Sequence, residues 1–593
     1  MLVTDADAFR RVLALTEAVP VVGLDTETTG LDPHADRVRT VQLATADAAW
    51  VVDAWAVGSL QPLGDWLGTR AAAGRRTALH NAKFDLRMLR GALGGAPLPA
   101  VAVSDLMLWS TLLACGLPEP GGHGLAAVAE RWLGVDLPKE ERLRGWGGPL
   151  RPEQVAYAGR DAWVLVPLAE AMTAGAGGRR GLHAEGLCGV AAVEDACVPA
   201  IADMEYAGLA FDLGYWRAYS AELDAAAARA GAEARRLLGP AGPTALSLFG
   251  EPAPSLNLDS VPQLSAALRG AGIRVACTRE HALRPFVADH PAVAALLHYR
   301  KLAKLRDAFG EALPRFVHPR TGRIHAHYHQ LGHSGIGRVA CANPNVQQIP
   351  RDPAVRRAFV APAGRRLVIA DLSQIELRIM CRLSGDARML GAYRRGEDLH
   401  RLTASLLAGI PAERVSREQR QLAKAANFGL IYAMSAAGLR AYAAASYGVH
   451  MTEGEAETFH RRFFAAYAGV AAYHRHQGAQ ARSAREVRTL LGRCHRWPHT
   501  RMGLPELVNL PAQGTGADIL KRAMGLLRAP LGRADAAMVA SIHDELLVEC
   551  PEDRAEEVRA AVRDALVTAG EELLAPVPVE ADAVVGGSWA DKA

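Results

Sequence analysis

Two aspartates, each at the end of an apolar run, are the residues of this chain with the most evident chemical potential. Asp371 follows the run Leu367 to Ala370, and Asp544 lies at the end of the run Met538 to Ile542. Such runs predict buried strands, and two carboxylates at the ends of neighbouring strands repel each other unless a cation lies between them. Hard oxygen ligands beside open coordination positions suit Mg²⁺, which takes substrate phosphates as further ligands. The pair therefore predicts two-metal phosphoryl transfer.

A second set of acidic residues lies nearer the start of the chain. Asp25 and Glu27 follow an apolar run and, being two apart on an extended segment, point to the same side. Asp85 lies in a segment, His80-Asn-Ala-Lys-Phe-Asp85, that predicts the opening of a helix, and Tyr157 and Asp161 are one helical turn apart. Four converging acids raise each other's pKa unless metal ions bind between them. The set predicts metal-assisted hydrolysis of a phosphodiester, with the tyrosine orienting the water.

A third pattern places long cationic and aromatic residues at every fourth position. Arg420, Lys424, Phe428 and Tyr432 would span one broad face of a helix. Such a face can hold a triphosphate at its cationic end and stack on a base at its aromatic end. Taken alone, the same stripe also fits an ordinary half-exposed helix.

Together these three patterns resemble family A DNA polymerases that carry an N-terminal DEDDy 3′–5′ exonuclease domain, and the resemblance extends from about residue 20 to Trp589. It implies a multidomain chain in which an α/β RNase H-like exonuclease domain precedes an α+β right-hand polymerase of palm, fingers and thumb. The implied function is template-directed addition of dNTPs to a primer 3′ end by two-metal phosphoryl transfer, with 3′–5′ proofreading. The implied cofactors are Mg²⁺ or Mn²⁺, two per active site.

The resemblance also implies roles for individual residues in the exonuclease domain. Metal ligands would be Asp25, Glu27, Asp85 and Asp161, with Tyr157 orienting the water. Contacts to the unpaired 3′ end would come from Leu31, Asn81 and Phe84.

For the polymerase half, the resemblance makes Asp371 and Asp544 ligands of both ions, together with the backbone carbonyl of Leu372, and gives Glu545 a supporting role. Lys424 would be the acid for the leaving pyrophosphate. The residues expected around the incoming nucleotide are Gln374, Glu376 (the sugar-selecting residue), His400, Arg420, Lys424, Phe428 and Tyr432 (stacking at the templating position). The residues expected to contact duplex DNA are Arg300, Lys304, Arg338, Asn345, Asn509, Gln513 and His543.

The chain departs from the family pattern at four places. Leu372 replaces a tyrosine, and Ala433 replaces the glycine after Tyr432. The segment 330–349 lacks a serine run, and the segment 496–508 is short and lacks a charged helical stretch. These differences affect contacts to duplex and template more than the metal ligands.

The composition of the chain bears on its binding surface and its cellular compartment. The net charge is only +4, so any nucleic-acid surface must be a local concentration of basic residues. The eight cysteines show no CxxC pair, which favours buried thiols in a reducing compartment. The first residues lack a signal pattern, and no apolar run reaches the length of a membrane span. We therefore expect a cytoplasmic protein, and the resemblance to family A polymerases implies a bacterial or phage origin.

The domain order expected from the pattern is as follows: 1–180 exonuclease, 181–318 thumb and connecting helices, 319–396 first part of the palm, 397–504 fingers, and 505–593 second part of the palm. Strands are predicted at Val19 to Asp25, Val38 to Ala44 and Ala49 to Asp53, and helices at Leu125 to Leu133 and Ala156 to Met172. A Gly/Arg/Ala linker is predicted at Thr173 to Gly181, and a long helical block from about 397 to 500.

The sequence is also compatible with three other functions. The alternatives are a 3′–5′ exonuclease with a weakened polymerase half, a single-subunit RNA polymerase and a non-catalytic DNA-binding scaffold. Glu376 opposes the RNA polymerase, since its bulk would exclude a ribose, and the six acidic ligands oppose the scaffold. The expected partners are primer–template DNA and dNTPs, with a monomeric protein. Because the sequence starts at the exonuclease motif, we expect any 5′ nuclease to be a separate chain.

Overall fold

The computed structural model describes residues 1–137, 145–239, 256–332, 336–481, 483–497 and 502–592. The chain divides into two compact units. The first comprises residues 1–209, 325–351 and 361–593, and the second comprises residues 210–324 and 352–360.

The N-terminal part of the first unit contains one mixed sheet with helices packed on it. Its strands are β1 (Leu2–Val3), β2 (Val21–Thr28), β3 (Val38–Ala44), β4 (Ala49–Asp53), β5 (Arg76–Leu79) and β6 (Val103–Asp105). Its helices are α1 (Ala6–Glu17), α2 (Gln61–Ala72), α3 (Ala82–Ala92), α4 (Leu106–Leu113), α5 (Leu125–Leu133) and α6 (Pro152–Ala174). The strand order is β1-β4-β3-β2-β5-β6, and β2 is antiparallel to β3 but parallel to β5.

This sheet follows the apolar patterns of the sequence closely. Val22, Leu24, Val41 and Leu43 are all fully buried in its core. The predicted limits of β3, β4 and α5 are confirmed, whereas β2 lies two to three residues later than predicted. Helix α6 begins four residues before the predicted start, because Pro152 occupies its first position, where the missing N–H costs nothing.

A short hairpin and two helices follow α6. They are β7 (Gly175–Ala176), β8 (Arg179–Arg180), α7 (Leu182–Glu185) and α8 (Cys188–Ala207). The predicted linker is thus partly ordered as the hairpin β7–β8.

The second unit is mainly helical. Its elements are α9 (Leu213–Leu238), α10 (Val261–Gly270), α11 (Glu280–Leu283), α12 (Pro291–Phe309) and α13 (Pro353–Arg356), with β10 (Arg323–Ile324) and the last residue of β9 (Leu209–Ala210). Helices α9 and α12 pack along each other around Leu264, Leu268 and Leu296. The segment Tyr299 to Lys304, which carries the expected DNA contacts Arg300 and Lys304, lies within α12. The sequence of residues 239–260 is rich in turn-forming residues and predicts a turn-rich interruption of the helices, but most of this segment lies outside the described residues.

A four-stranded antiparallel sheet forms the core of the remaining first unit. Its strands are β13 (Arg365–Leu372), β16 (Ala537–Ile542), β17 (Glu545–Pro551) and β18 (Ala581–Gly586), in the order β16-β17-β13-β18. Leu367 to Ala370 on β13 are fully buried, as the apolar run predicts.

Between these strands the chain leaves the sheet as a mainly helical insertion. The helices are α14 (Ile375–Ser384), α15 (Ala387–Arg394), α16 (Leu399–Ala408), α17 (Arg417–Leu430), α18 (Ala436–Tyr447), α19 (Glu453–Ala466), α20 (Ala468–Gln480) and α21 (Leu504–Arg533), and α22 (Ala555–Leu574) follows β17. Two small hairpin pairs are β11 (His327–His329) with β12 (Ala340–Ala342) and β14 (Glu486–Arg488) with β15 (Cys494–Arg496). The predicted helical block therefore ends at Gln480, where the chain turns into the β14–β15 hairpin.

Buried charges fix α21 within the first unit. Arg493 donates to Asp518 on α21 at 2.6 Å and also pairs with Glu194 on α8. Lys521 on α21 lies 2.7 Å from the same Glu194. All four side chains are at most 3% exposed. Removing one partner from a buried pair costs about 3–5 kcal/mol, so this network holds α21 in place relative to α8.

Candidate active sites

The acidic residues of the N-terminal sheet line one cavity of about 390 Å³. Asp25 and Glu27 lie on one face of β2, where their register partners are Gln42 and Thr40. Asp85 comes from the first turn of α3, and its Oδ1 accepts a 2.6 Å hydrogen bond from the hydroxyl of Thr26. Three separate elements therefore bring these carboxylates together, with α6 as the third.

Helix α6 contributes Tyr157 and Asp161 to the same cavity. It can do so because it crosses β2 at Gly23. A Cβ atom at this glycine would lie 2.3 Å from the carbonyl oxygen of Ala162. The absence of a side chain at Gly23 thus lets α6 approach β2 closely, and the charge of Asp161 raises the pKa of Asp25.

The electrostatics of this cavity suit divalent cations. Burial and the charges of Asp85, Glu27 and Asp161 raise the pKa of Asp25 well above its usual range. Burial raises the pKa of Asp85 to about 7. Burial and the hydrogen-bonded carboxylate of Asp161 raise the pKa of Tyr157, so its hydroxyl stays protonated. Within the described residues, no set of three acidic, histidine or cysteine side chains already has the geometry to hold a metal ion. The mutual repulsion of these acids is what bound cations would relieve.

The residues expected at the unpaired 3′ end lie at the rim of this cavity. Leu31, Asn81 and Phe84 all line it, and Leu31 is 76% exposed. An apolar side chain so exposed at a cavity mouth is available to a base. Asn81 has φ +68° at the N-terminus of α3, a left-handed conformation that asparagine tolerates.

Sequence reasoning missed the residue that fixes this helix start. Asp105, at the end of β6, accepts hydrogen bonds from the backbone N–H groups of Asn81 and Ala82 at 3.2 and 2.9 Å. It also caps α4 through the N–H of Met107. An aspartate directly between a strand and an apolar helix is an N-cap signal that could have identified it.

In the second sheet, three acidic residues on adjacent strands form a row. Asp371 on β13 lies directly across from Glu545 on β17 and from Asp582 on β18. Directly opposed residues of an antiparallel pair point to the same face. Asp582 was not predicted as part of the site, and it accepts a 2.6 Å hydrogen bond from the hydroxyl of Ser373.

Asp544 belongs to a turn rather than to a strand end. It follows His543 in the two-residue connection between β16 and β17, where His543 has φ +57°. Burial and the charges of Asp371 and Glu376 raise the pKa of Asp544. The prediction of neighbouring strands was wrong in one respect. The strands that precede the two aspartates, β13 and β16, are separated by β17. The tight turn nevertheless brings Asp544 to the cavity that Asp371 lines.

A lysine that sequence reasoning also missed lies against this row. Lys592 Nζ is 2.7 Å from Asp371 Oδ1 and 3.5 Å from Glu545 Oε2. The indole N–H of Trp589, which is fully buried, donates to Glu545 Oε1 at 2.7 Å.

A cavity of about 580 Å³ opens in front of these acids and collects most of the residues expected around a nucleotide. The expected residues that line it are Asp371, Leu372, Gln374, Glu376, His400, Lys424, Phe428 and Asp544. Carboxylates thus form one wall, and the cation and aromatic ring of α17 form another. Arg420 and Tyr432 are not among the lining residues. The Arg420 guanidinium instead forms an ion pair with Asp398 at 2.7 Å.

Tyr432 corrects the prediction of a single helix face. Helix α17 ends at Leu430, so Tyr432 lies beyond it, and Ala433 follows with φ +61°. A non-glycine residue in this region costs roughly 1–2 kcal/mol, so the family's glycine would relieve strain here. The Tyr432 ring is largely buried, and burial together with the Glu376 carboxylate raises its pKa. The charge of Glu376 therefore acts on the Tyr432 hydroxyl in this conformation.

His400 is held by a buried polar chain. Its Nδ1 accepts a 2.8 Å hydrogen bond from the Asn427 amide, whose oxygen lies 3.0 Å from the hydroxyl of Thr403. Burial lowers the pKa of His400 to about 4. A neutral ring that accepts at Nδ1 carries its proton on Nε2. His400 is thus a hydrogen-bond donor at a wall of the cavity.

The residues expected to contact duplex DNA are placed less uniformly. Arg338, Gln513 and His543 line a cavity of about 300 Å³, to which Glu376 and Asp544 also belong. Arg338 forms an ion pair with Glu376 at 3.1 Å. Asn509 lies one turn before Gln513 on α21 but does not line this cavity.

Asn345 and the two α12 cations lie elsewhere. The Asn345 side chain caps a short 3₁₀ turn by accepting from the N–H of Gln347 at 3.1 Å. In the second unit, the Arg300 guanidinium donates to the carbonyl of Thr278, whereas Lys304 is exposed. Of these two, Lys304 is therefore the more accessible.

No helix in the described part of the chain is long and apolar enough to cross a membrane.

Comparisons with known proteins match both halves of the chain. A family profile described as "DNA polymerase family A" matches residues 246–591, and one described as "3'-5' exonuclease" matches residues 1–175. The DNA polymerase I of Aquifex aeolicus is 33% identical over 608 residues, covering 99% of both chains. The DNA polymerase I of Pseudomonas aeruginosa is also 33% identical, over 99% of this chain and 65% of its own length.

Among solved structures, the polymerase domain of Pol1 from M. smegmatis, in complex with DNA primer–template and dNTP, superposes with a TM-score of 0.79. It is 26% identical, and the match covers 99% of each chain. The chain belongs to the family A DNA polymerases and carries their 3′–5′ exonuclease domain, so it is a DNA polymerase with 3′–5′ exonuclease activity.

Proposed function

We propose that this polymerase adds dNTPs to a primer 3′ end in the 580 Å³ cavity and removes mispaired ends in the 390 Å³ cavity, with two Mg²⁺ or Mn²⁺ ions in each. One observation carries the proposal. Each cavity has its own set of acids with raised pKa values, Asp25 and Asp85 in one and Asp544 in the other. Enzymes of this family are metal-dependent. Bound cations would neutralise developing charge and lower the pKa of the attacking hydroxyl or water.

In the polymerase cavity, different side chains would bind the ions, protonate the leaving group and contact the triphosphate. Asp371, Asp544 and the carbonyl of Leu372 would hold the ions, and Glu545 would support Asp371 from the next strand. Lys424 lies on the opposite wall and can give a proton to the leaving pyrophosphate. Arg420 would exchange its partner Asp398 for the triphosphate. The Nε2–H of His400 can donate to a phosphate oxygen without adding charge.

In the exonuclease cavity, Asp25, Glu27, Asp85 and Asp161 would hold the ions. The Tyr157 hydroxyl, protonated and directed at Asp161, can orient a water toward the scissile phosphate. Leu31 and Phe84 would pack on the last bases and hold the unpaired end in line.

The proposed substrate is primer–template DNA, as in the M. smegmatis complex. Gln513, Asn509, His543 and Arg338 would face the minor groove near the primer terminus, where acceptors shared by all correct pairs allow geometry to be sensed. Lys304 and Arg300 would contact backbone phosphates, and Asn345 would order the segment near Arg338. We also propose the subdivision into exonuclease, thumb, fingers and palm given above, a monomeric protein and a cytoplasmic location.

Primer extension and degradation on one primer–template, with a matched or mismatched 3′ end, test the proposal. The double variant Asp25→Ala, Glu27→Ala should lose degradation and keep extension. Asp544→Ala should lose extension by orders of magnitude and keep degradation. The matched control is Asp564→Ala, an exposed carboxylate on α22. Equal loss of both activities in either variant would contradict two independent sites.

The decayed-polymerase alternative predicts a different result. It requires mismatch removal by the parent enzyme without extension of the matched primer. The presence of Lys424, Phe428 and both palm aspartates around one cavity opposes it.

A further inference from the structure

An ammonium group lies between two carboxylates, one of which, Asp371, lines the polymerase cavity. Lys592 Nζ lies 2.7 Å from Asp371 Oδ1 and 3.5 Å from Glu545 Oε2. The side chains of Lys592 and Glu545 are 14% and 13% exposed, and that of Asp371 is 33% exposed. The contact is therefore partly screened from solvent and stronger than a surface ion pair.

The turn that carries this lysine is fixed to the sheet. Trp589 is fully buried and donates its indole N–H to Glu545 Oε1 at 2.7 Å. The Asp591 carboxylate accepts from the N–H groups of Gly587 and Ser588 at 2.7 and 3.0 Å. The short 3₁₀ segment Trp589–Lys592 thus has its own anchors, and the lysine is directed at the acids by a built structure.

The row of acids gives a reason for this arrangement. Glu545, Asp371 and Asp582 are direct cross-strand neighbours on three adjacent strands. Like charges directly opposite each other on a sheet destabilise it. A cation at Asp371 and Glu545 removes much of that penalty, and an ammonium can do so before any divalent ion is present.

A lysine paired with Asp371 would compete with a divalent ion for this carboxylate. Nζ lies 2.7 Å from Asp371 Oδ1, and Asp371 is one of the residues that line the cavity where the ions are proposed to bind. An ion that used this oxygen would force the ammonium away, because the two cations repel each other.

We propose that Lys592 is a resident counter-ion of the polymerase site, which stabilises Asp371 and Glu545 in the metal-free protein and is displaced from Asp371 when a divalent ion binds. Lys592 is a positioning residue in this scheme, and it sets the apparent metal affinity of the site. The inference rests on the proposed role of Asp371 as a metal ligand.

The test measures the affinity of the full chain for Mn²⁺ in the absence of DNA. The electron paramagnetic resonance signal of free Mn²⁺ reports how much of the ion is unbound. Asp25→Ala with Glu27→Ala serves as the background, so that the exonuclease site contributes little. Lys592→Met in this background should bind Mn²⁺ about three- to tenfold more tightly, by the loss of a partly buried ion pair. The melting temperature of the same protein in EDTA should fall. Lys592→Arg, which keeps the charge, should resemble the parent.

Two controls keep the outcomes distinct. Arg563→Met removes a cation from the exposed face of α22 and should change neither quantity. Asp371→Asn tests whether Asp371 is a metal ligand. If it leaves Mn²⁺ binding intact, the proposed metal site fails. If Asp371→Asn abolishes binding but Lys592→Met leaves affinity unchanged or weaker, or leaves the melting temperature in EDTA unchanged, the counter-ion role of Lys592 is overturned. Lys592→Gln gives the same readout should the methionine variant not fold.

Discussion

Gly23 on β2 and the carbonyl of Ala162 on α6 approach so closely that a Cβ atom at the glycine would come within 2.3 Å of the oxygen. Neither group is a catalytic residue. Their contact nevertheless decides where α6 lies, and α6 carries Tyr157 and Asp161 into the exonuclease cavity. The helix position is therefore a determinant of the chemistry.

The first prediction follows from that contact. Gly23→Ala should reduce 3′ degradation by roughly 10- to 100-fold, because displacement of the proposed metal ligand Asp161 or the proposed water-orienting Tyr157 by about 1 Å carries such a cost. Extension of a matched primer should stay within about twofold. Gly64→Ala is the matched control, since its new Cβ would meet only Leu93 at 3.5 Å. Parental degradation by Gly23→Ala would contradict a role for this close approach.

A second prediction concerns the proton on His400. Asn427→Asp replaces the amide donor at Nδ1 with a carboxylate, so the ring should gain a second proton and its pKa should rise from about 4 to above its ordinary value of 6.5. NMR titration of the histidines measures this directly.

The sign of the stability effect also changes with that substitution. In the parent, the unfolded state binds more protons than the folded state between pH 4 and 6.5, so the contribution of His400 to stability is lost as pH falls through this window. In the variant, the pKa of His400 is higher in the folded state than in the unfolded state. Its contribution to stability is therefore complete below pH 6.5 and is lost as pH rises through the new folded pKa. Melting curves between pH 4 and 8 distinguish the two, and an unchanged pH dependence would argue against the Asn427 hydrogen bond.

The third prediction tests sugar selection at Glu376. Glu376→Ala should relax the preference for dNTPs over rNTPs by roughly 5- to 150-fold, since about 1–3 kcal/mol of desolvation and steric penalty is removed. The structure adds a complication, because Glu376 also forms an ion pair with Arg338, and its charge raises the pKa of Tyr432.

Glu376→Gln separates these effects, because it keeps the bulk and loses the charge. If bulk excludes the ribose, the glutamine variant should retain most of the discrimination in competitive rNTP/dNTP incorporation. Equal loss in both variants would assign selection to the Arg338–Glu376 pair instead.

The fourth prediction concerns Phe428, which lines the nucleotide cavity 5.7 Å from the ring of His400. A dideoxynucleotide lacks the 3′-OH that helps to align the triphosphate, and Phe428→Tyr places a hydroxyl that can replace its hydrogen bond. Such a bond to a charged phosphate contributes about 1.5–3 kcal/mol. The variant should therefore accept dideoxynucleotides roughly 10- to 100-fold better, with dNTP use little changed.

Competitive ddNTP/dNTP incorporation measures the effect, and Phe464→Tyr on α19 is a control outside the cavity. If Phe428 is instead an ordinary packing residue, the tyrosine variant should lose stability and activity together without any gain in ddNTP use.

Much of the fold is predictable because the responsible signals are local. The limits of β3, β4 and α5 follow from apolar runs and periodicity, which depend only on neighbours along the chain. The end of α17 before Tyr432 was missed because the spacing of four continues past it, while the backbone turns at Ala433 with a positive φ. The spacing of residues along the chain does not show where tertiary contacts end a helix.

Residue types and their spacing within single helices and strands, as in Asp25 with Glu27 and Tyr157 with Asp161, suffice to predict the proposed metal-assisted chemistry, because these signals are local. Only the tertiary structure decided which acids become lateral neighbours. Strand order and hairpin register set Glu545 and Asp582 beside Asp371, and the anchoring of Trp589 brings Lys592 to them. These pairings join residues far apart in the chain through hydrogen bonds of a sheet, and no periodicity within one element specifies them.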